Sequence, residues 1–249
     1  MFAAFFAGFV DAIAGGGGLI TVPALLLFGM TPVEALGTNK LQSVFGSASA
    51  TLAYARKGLV DVRRQGWWAL LSFAGAALGA LLAAVVPNEL LATFLPLLLI
   101  AIALYFALKP NMDDVDRAQR MKPFLFGLMV VPAIGFYDGL FGPGTGSFFM
   151  LAFVALAGFG VLKATAHTKF LNFASNLGGF VVFALIGVVY WKIGLAMGIA
   201  QFLGARIGAA LAMKNGARLI KPLLVLTCVA LAIRLLSDEA HPIRQWFGG

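Results

Sequence analysis

Two glycine-rich breaks interrupt apolar segments of this chain, and each break follows an aspartate. The first reads DAIAGGGG from Asp11, and the second reads DGLFGPGTG from Asp138. A helix that starts just after such a break presents free amide donors and the positive end of its dipole, which together bind anions. Glycine also lets the backbone approach a ligand without a Cβ in the way. The breaks therefore predict an anion site built from Gly16, Gly17, Gly18, Gly144, Thr145, Gly146 and Ser147.

A stripe of polar residues follows each break. Lys40, Ser43 and Ser47 are spaced i, i+3 and i+7, which places them on one face of a helix. Lipid offers no hydrogen-bond partners, so a polar stripe in a membrane helix normally faces the bundle interior or an aqueous path. We expect both stripes and their polar neighbours to complete the anion site, with the residues Asn39, Lys40, Ser43, His167, Lys169, Asn172 and Asn176.

Three charged residues stand in otherwise apolar sequence, where each costs about 2.5 to 3.5 kcal/mol. Arg206 is predicted either to bind the substrate or to form a buried ion pair with an aspartate. Asp11 and Asp138 precede the glycine turns, so they either accept hydrogen bonds from the turn amides or carry protons or another coupling ion. Histidine is the side chain whose ordinary pKa lies closest to neutral, so His167 is expected either to relay protons or to be a hydrogen-bonded structural residue.

The composition places the chain in lipid. Hydrophobic residues make up 61% of its 249 residues, and the mean hydropathy is +0.95, too apolar for a water-soluble domain of this size. The stretches 65–88 and 90–108 carry no charge, and each exceeds the roughly 18 apolar residues of a membrane span. With one cysteine and two histidines, neither a metal site nor a cofactor is expected.

The net charge of +8 predicts membrane topology and not nucleic-acid binding. Most of the 18 basic residues fall in three short segments, at 56–64, 109–122 and 214–221, and not on one amphipathic face. By the positive-inside rule all three segments are cytoplasmic.

An internal repeat appears when the chain is shifted by 129 residues, because Lys40 then meets Lys169 and Ser43 meets Asn172. Gly75 with Gly79 and Gly204 with Gly208 also coincide, and their small-xxx-small spacing predicts close helix packing. The repeats run from 1 to 108 and from 124 to 236, and the cytoplasmic linker 109–123 joins them. Residues 1–249 form one intertwined membrane domain.

Each repeat contains two short segments around the glycines and three long helices. In the first repeat these segments are 2–14, 19–28, 32–55, 65–86 and 89–108. If the short pieces formed one broken span, each repeat would cross four times and the third basic segment would be external. If they form a re-entrant hairpin, each repeat crosses three times and all basic segments are cytoplasmic. We favour an all-α polytopic membrane protein with two inverted repeats, each a re-entrant hairpin followed by three transmembrane helices, and both termini outside.

The motifs resemble those of a known family. GFVDAIAGGGGLITVPALL with ALGTNKLQS, and GFYDGLFGPGTGSFFMLAF with KATAHTKFLN, are similar to the TauE/SafE family of sulfite exporters in the toluene sulfonate uptake permease superfamily, in particular its bacterial branch of probable membrane transporters. The resemblance covers nearly the whole chain. It implies a multi-pass permease of the bacterial inner membrane that carries sulfite, an organosulfonate or a related sulfur-containing anion.

The sequence therefore predicts a secondary transporter for a small anion that works by alternating access. A passive anion channel remains the alternative, since inverted repeats with re-entrant hairpins also serve channels. An enzyme is not expected, because no Gly-x-Ser-x-Gly elbow occurs and the second half of the intramembrane aspartyl protease signature is absent. The expected partners are the anion and the bilayer, and a coupling ion (H+ or Na+) and a homodimer stay open.

Overall fold

The computed structural model describes residues 1–63, 65–84 and 113–237, together with residues 100, 101, 104, 105, 107 and 108. Every regular element within them is helical. The first half contains α1 (Phe2–Ala14), α2 (Gly18–Leu27), α3 (Pro32–Arg56) and α4 (Gly66–Ala83). The second half contains α5 (Pro123–Leu140, with a π-helical turn at Phe126–Val130), α6 (Thr145–Ala155), α7 (Val161–Leu185), α8 (Trp191–Asn215) and α9 (Ala217–Leu236).

The helix lengths agree with a multi-pass membrane protein. Within the described residues, α4, α5 and α8 are long and apolar enough to cross a membrane, and α1, α2 and α6 are shorter apolar helices. The helix α1 begins and ends at the residues that the sequence predicted, and α2 and α3 differ from prediction by a residue at one or both ends. The predicted helix 89–108 lies largely outside the described residues.

The chain doubles back at the first glycine break. The helix α1 ends because Gly15 and Gly16 adopt φ values of 81° and 93°, a region that favours glycine. Gly17 then lies against α1, since a Cβ built on it would be 3.0 Å from the carbonyl oxygen of Ala7. The side chain of Asp11 accepts a hydrogen bond from the Gly17 N–H at 3.1 Å and so closes the turn.

Glycine pairs bring α4 onto α5 and α8 onto α1, and the sequence predicted close packing at these glycines without naming the partner helices. A Cβ on Gly75 or Gly79 would lie 2.3 or 2.0 Å from a carbonyl oxygen of α5. A Cβ on Gly204 or Gly208 would lie 2.0 or 2.3 Å from a carbonyl oxygen of α1. The helices therefore touch backbone to backbone, which any larger residue would prevent.

The long helices α3 and α7 lie between these two helix pairs. The helix α3 packs on α8 and α7, and α7 also packs on α4. Thr31 and Glu34 form a capping box at the start of α3, and Pro32 occupies its first turn. The polar stripes of α3 and α7 are buried in the interior, so the packing of the apolar helices around them positions the site.

Candidate functional site

The two glycine loops are in direct contact. A Cβ built on Gly15 would lie 2.8 Å from the Cα of Gly146, and one on Gly18 would lie 3.7 Å from the Cα of Pro143. Side chains at Gly15 and Gly146 would force the loops apart. The small residues at these positions thus bring the starts of α2 and α6 to one place.

A small polar cavity lies where the loops meet the stripes of α3 and α7. It has about 20 Å³ for the centres of water-sized molecules, which is room for about one water. The lining contains Gly142 and most of the residues that the sequence assigned to the site: Asp11, Gly16, Gly17, Gly18, Asn39, Ser43, Asp138, Gly144, Thr145, Gly146, Asn172 and Asn176.

Backbone N–H groups at this cavity are left without protein partners. Among the described residues, the N–H groups of Gly16, Gly18, Gly144 and Gly146 donate to no other residue. All four glycines line the cavity, at the first turns of α2 and α6 or just before them. Free donors and two helix dipoles therefore converge on the same space, which favours negative charge there.

The side chain of Asn39 adds a donor with a defined orientation. Its Oδ1 accepts hydrogen bonds from Thr21 Oγ1 at 2.6 Å and from Gln42 Nε2 at 2.9 Å. The amide NH₂ must then point the other way, and a Cβ on Gly18 would lie 3.3 Å from Nδ2. The hydrogen-bond network thus assigns the NH₂ group of Asn39 to the loop and the cavity.

Two more lining side chains have hydrogen-bonding capacity to spare. The hydroxyl of Ser43 and the amide of Asn172 make no hydrogen bond to another described side chain or backbone group. The amide of Asn176, by contrast, is occupied, because it donates to the Asn172 carbonyl at 2.7 Å and accepts from Lys40 at 3.4 Å. Ser43 and Asn172 could therefore bind a ligand without losing a protein contact.

The buried lysines form ion pairs that cross between the two halves of the chain. Lys40 of α3 contacts Asp138 of α5 at 2.8 Å, and Lys169 of α7 contacts Asp11 of α1 at 3.0 Å. The sequence analysis gave these aspartates no lysine partners. The matching positions of one lysine and one aspartate in each apolar half were the available signal, because a buried charge needs a countercharge.

The two ion pairs differ in how well the carboxylates are satisfied. Both oxygens of Asp11 are bonded, Oδ1 to the Gly17 N–H and Oδ2 to Lys169. In Asp138, Oδ1 accepts from Lys40 and from Thr145 Oγ1 at 2.7 Å. The other oxygen, Oδ2, is buried without a hydrogen-bond partner. Asp138 is thus the carboxylate that retains a free acceptor.

The ammonium groups lie just behind the second glycine loop. A Cβ on Gly142 would be 3.4 Å from Lys40 Nζ, and one on Gly146 would be 3.4 Å from Lys169 Nζ. The lysines do not themselves line the cavity in this conformation. They supply positive charge to it through a layer of glycine backbone.

Arg206 does not lie in the site, which corrects the sequence prediction. It is exposed, and it makes no ion pair among the described residues. Each residue turns about 100° around a helix, so Arg206 lies on the face opposite Gly204 and Gly208, its second neighbours on either side. Since those glycines pack against α1, Arg206 points away from the helix bundle.

Two other predicted residues also lie outside the cavity lining. The His167 ring contacts the side-chain amide of Gln65 through Nδ1, and it packs on Phe159 with 4.8 Å between ring centroids. Ser147 is buried between helices, where its hydroxyl donates to the Ala14 carbonyl at 3.4 Å. Ser147 thus joins the two loops, and His167 joins α7 to the start of α4.

The sequence analysis missed a role for the acidic residues of the linker. Asp114 accepts hydrogen bonds from the N–H groups of Leu162 at 2.9 Å and Ala217 at 3.1 Å, so one carboxylate caps both α7 and α9. Acidic residues just before helix starts are a known capping signal, but here the helices are distant in sequence.

Asp116 provides a second cap from the same linker. It accepts from the Gly160 N–H at 2.9 Å and pairs with Lys163. Partial burial alone would raise the pKa of Asp116, but the hydrogen bonds from Lys163 and Gly160 hold this pKa below its usual value. The linker therefore fastens the start of α7, the helix that carries Lys169.

Comparisons with known proteins agree with this architecture. The family model described as "Sulfite exporter TauE/SafE" matches residues 1–235. The "Probable membrane transporter protein ORF9" of a Sinorhizobium species is 65% identical over 246 residues, which cover 99% of this chain and 94% of that protein. The "Probable membrane transporter protein YfcA" of Escherichia coli is 46% identical over 248 residues, covering 99% and 92%.

A more distant relative extends the same pattern. The "Probable membrane transporter protein YunE" of Bacillus subtilis is 26% identical over 257 residues, which cover 93% of this chain and 94% of that protein. No solved structure matches the chain. The similarity over nearly the full length shows that this chain belongs to the TauE/SafE family, a family of membrane transporters and not of enzymes.

Proposed function

We propose that the protein is a secondary transporter that carries a small sulfur-containing anion, such as sulfite or an organosulfonate, by alternating access. One observation carries the proposal: the starts of α2 and α6 meet, with unbonded N–H groups, at a buried polar cavity in an otherwise apolar chain. Such a site attracts negative charge.

The donors at the cavity suit an oxyanion. The backbone N–H groups, the Asn39 amide, the Ser43 hydroxyl and the Asn172 amide supply several donors that the oxygens of one anion can share. A sulfite or sulfonate group presents three oxygens that accept hydrogen bonds and carries no donor when ionised. The family's description as sulfite exporters supports the same substrate class.

The helix packing supports two related halves with opposite orientation. The helix α4 packs on α5 as α8 packs on α1, and in both pairs glycines touch the partner's backbone. Each half, 1–108 and 124–236, would then consist of a re-entrant hairpin and three transmembrane helices, with the linker 109–123 in the cytoplasm and both termini outside. Bacterial relatives and the basic segments favour the inner membrane as the location.

The size of the cavity favours a carrier over a channel. Room for about one water is too small for sulfite, which has four non-hydrogen atoms. An anion can therefore bind only if the elements that line the cavity move apart. A site that must open in order to fill is the arrangement that alternating access requires.

Transport by reconstituted protein distinguishes the two functions. Proteoliposomes loaded with unlabelled sulfite should transiently concentrate radiolabelled sulfite from outside, because a carrier exchanges its substrate across the membrane. Uptake that does not saturate and shows no such counterflow would indicate a channel and refute alternating access.

Binding tests the site itself. A ligand at 100 times its Kd stabilises the native protein by about 2.7 kcal/mol, so thermal shifts with sulfite, sulfate, thiosulfate, sulfonates and carboxylates should identify the anion. Ser43→Ala removes one donor and should weaken binding about two- to tenfold. Ser49→Ala is the matched control, because Ser49 lies on the same helix but donates to the Phe202 carbonyl at 2.8 Å. Equal affinities in the two variants would contradict the assignment of Ser43.

A further inference from the structure

We propose that Asp138 is the proton-binding group of this transporter, and that a proton on its free oxygen releases Lys40 to hold the anion. The inference rests on the proposed function and adds the coupling ion. It predicts that one proton moves with each singly charged anion, in the same direction.

The position of Asp138 makes it a proton acceptor. The residue is 1% exposed, it lines the cavity, and its Oδ2 has no hydrogen-bond partner. A buried oxygen without a donor is poorly stabilised as part of a carboxylate. A proton at Oδ2 removes the charge and leaves the hydrogen bond from Thr145 to Oδ1 in place.

The surrounding groups determine the charge balance. Lys40 faces Asp138 from α3, and the ion pair of Lys169 with Asp11 contacts the same loops. On α5 itself, the hydroxyl of Tyr137 donates to the Pro143 carbonyl. From α4, the atoms nearest to a Cβ built on the neighbouring Gly139 belong to the backbone of Ala76 and Ala80. Two lysines and two aspartates therefore sum to zero before an anion binds.

A bound anion of charge −1 would leave one uncompensated negative charge in a medium of low dielectric. If water on the open side supplies a proton to Oδ2, Asp138 becomes neutral and its attraction for Lys40 falls. The Lys40 ammonium keeps its own proton and pairs with the anion. The loaded and empty sites are then both neutral, and release of anion and proton on the other side restores the ion pair.

Asp11 does not serve the same purpose, although it stands in the equivalent place. Both of its oxygens are engaged, by Lys169 and by the Gly17 N–H that closes the first loop. A proton on Asp11 would displace one of these donors. The pair of Lys169 and Asp11 therefore holds the structure together while the pair of Lys40 and Asp138 exchanges partners.

Proton uptake on anion binding tests the proposal directly. Purified protein in weakly buffered detergent solution is mixed with methanesulfonate, sulfate, thiosulfate or sulfite, and a pH indicator counts protons against bound anion. Wild type should take up about one proton per methanesulfonate, and its Kd should rise up to tenfold per pH unit as the pH increases. Asp138→Asn should bind without proton uptake and without this pH dependence, whereas Ser49→Ala, whose hydroxyl donates to the Phe202 carbonyl outside the cavity, should keep about one proton per bound anion.

The outcomes separate the two proposals. Anion binding to wild type with no proton uptake would overturn the role of Asp138 and leave the anion transporter intact, and this measurement needs no variant. Proton uptake of the same size in Asp138→Asn as in wild type would also overturn the role of Asp138. Protons that sulfite itself gains or loses contribute equally to both proteins, so they cancel when the two are compared. If none of the four anions binds, the proposed function fails and this inference fails with it.

Discussion

Replacing Lys40 by methionine should be among the most destabilising substitutions in the site. Methionine preserves the length of the side chain but removes the charge, and both partners are buried, with side-chain exposures of 0% for Lys40 and 2% for Asp138. Breaking a buried ion pair from one side costs about 3 to 5 kcal/mol, because the other charge stays buried and unpaired. We expect a loss in the upper half of this range, since the Thr145 hydroxyl is then the donor left to Asp138 among the described residues.

The matched substitution is Lys169→Met. Its partner Asp11 is more exposed, at 13%, and keeps the hydrogen bond from the Gly17 N–H. The loss of unfolding free energy should therefore be about 3 kcal/mol, the lower end of the range. A smaller loss for Lys169→Met than for Lys40→Met would reflect the difference in how the two carboxylates are satisfied.

A double-mutant cycle separates the ion pair from other effects. Lys40→Met combined with Asp138→Asn removes both charges, so the double variant should recover at least about 2 kcal/mol relative to the sum of the single losses. The free energy of unfolding can be measured by titrating SDS into mixed micelles and following tryptophan fluorescence. Additive losses would refute the reasoning, because they would mean that the two charges do not stabilise each other.

Three further predictions follow from packing and charge. Gly79→Val should destabilise the protein by several kcal/mol, since its Cβ would lie 2.0 Å from a carbonyl oxygen of α5. Gly66→Ala should be tolerated, because nothing lies within 4 Å of the added Cβ. SDS titration of both variants tests this difference. Asp116→Asn should lower the free energy of unfolding by less than about 1 kcal/mol at neutral pH. Because folding lowers the pKa of Asp116, the difference in stability from wild type should shrink as the pH falls below the ordinary pKa of 3.8. Thermal unfolding measured over a range of pH checks this. Arg206→Ala should leave the Kd for the anion unchanged in thermal-shift titrations, whereas Lys169→Ala should raise it. A raised Kd for Arg206→Ala would show that Arg206 contributes to anion binding.

Local sequence signals predicted the elements and the glycine contacts well. A glycine that adopts positive φ commonly ends a helix, so the end of α1 before Gly15 could be taken directly from the sequence. The spacing of Gly75 and Gly79 indicated close packing because few other functions require small residues one helical turn apart. The stripe that begins at Lys40 likewise indicated a buried face, since lipid cannot satisfy polar groups.

Pairings between distant residues could not be predicted in the same way. Lys40 and Asp138 are 98 residues apart on helices of different halves, and no local pattern specifies their contact. Arg206 was misplaced for a related reason: hydropathy records the cost of a charge in an apolar stretch but not the direction in which the side chain points. The turn of α8 from Gly204 to Gly208 held that information, because glycines that face a neighbouring helix leave the residue between them outside.

In the mechanism that we propose, the contrast between the two ion pairs determines what the site can do. If both carboxylates were fully bonded, as Asp11 is, a bound anion would have to compete with two intact ion pairs and the loops would stay closed. If both were underbonded, neither ion pair would hold its carboxylate to α3 or α7 while the anion passed. With one carboxylate satisfied and Asp138 left with a free oxygen, one lysine can exchange its partner while the other keeps the loops in register. Related sequences in the two halves thus produce a site that resembles a symmetric one, and the unequal bonding of its aspartates confines the exchange to Lys40.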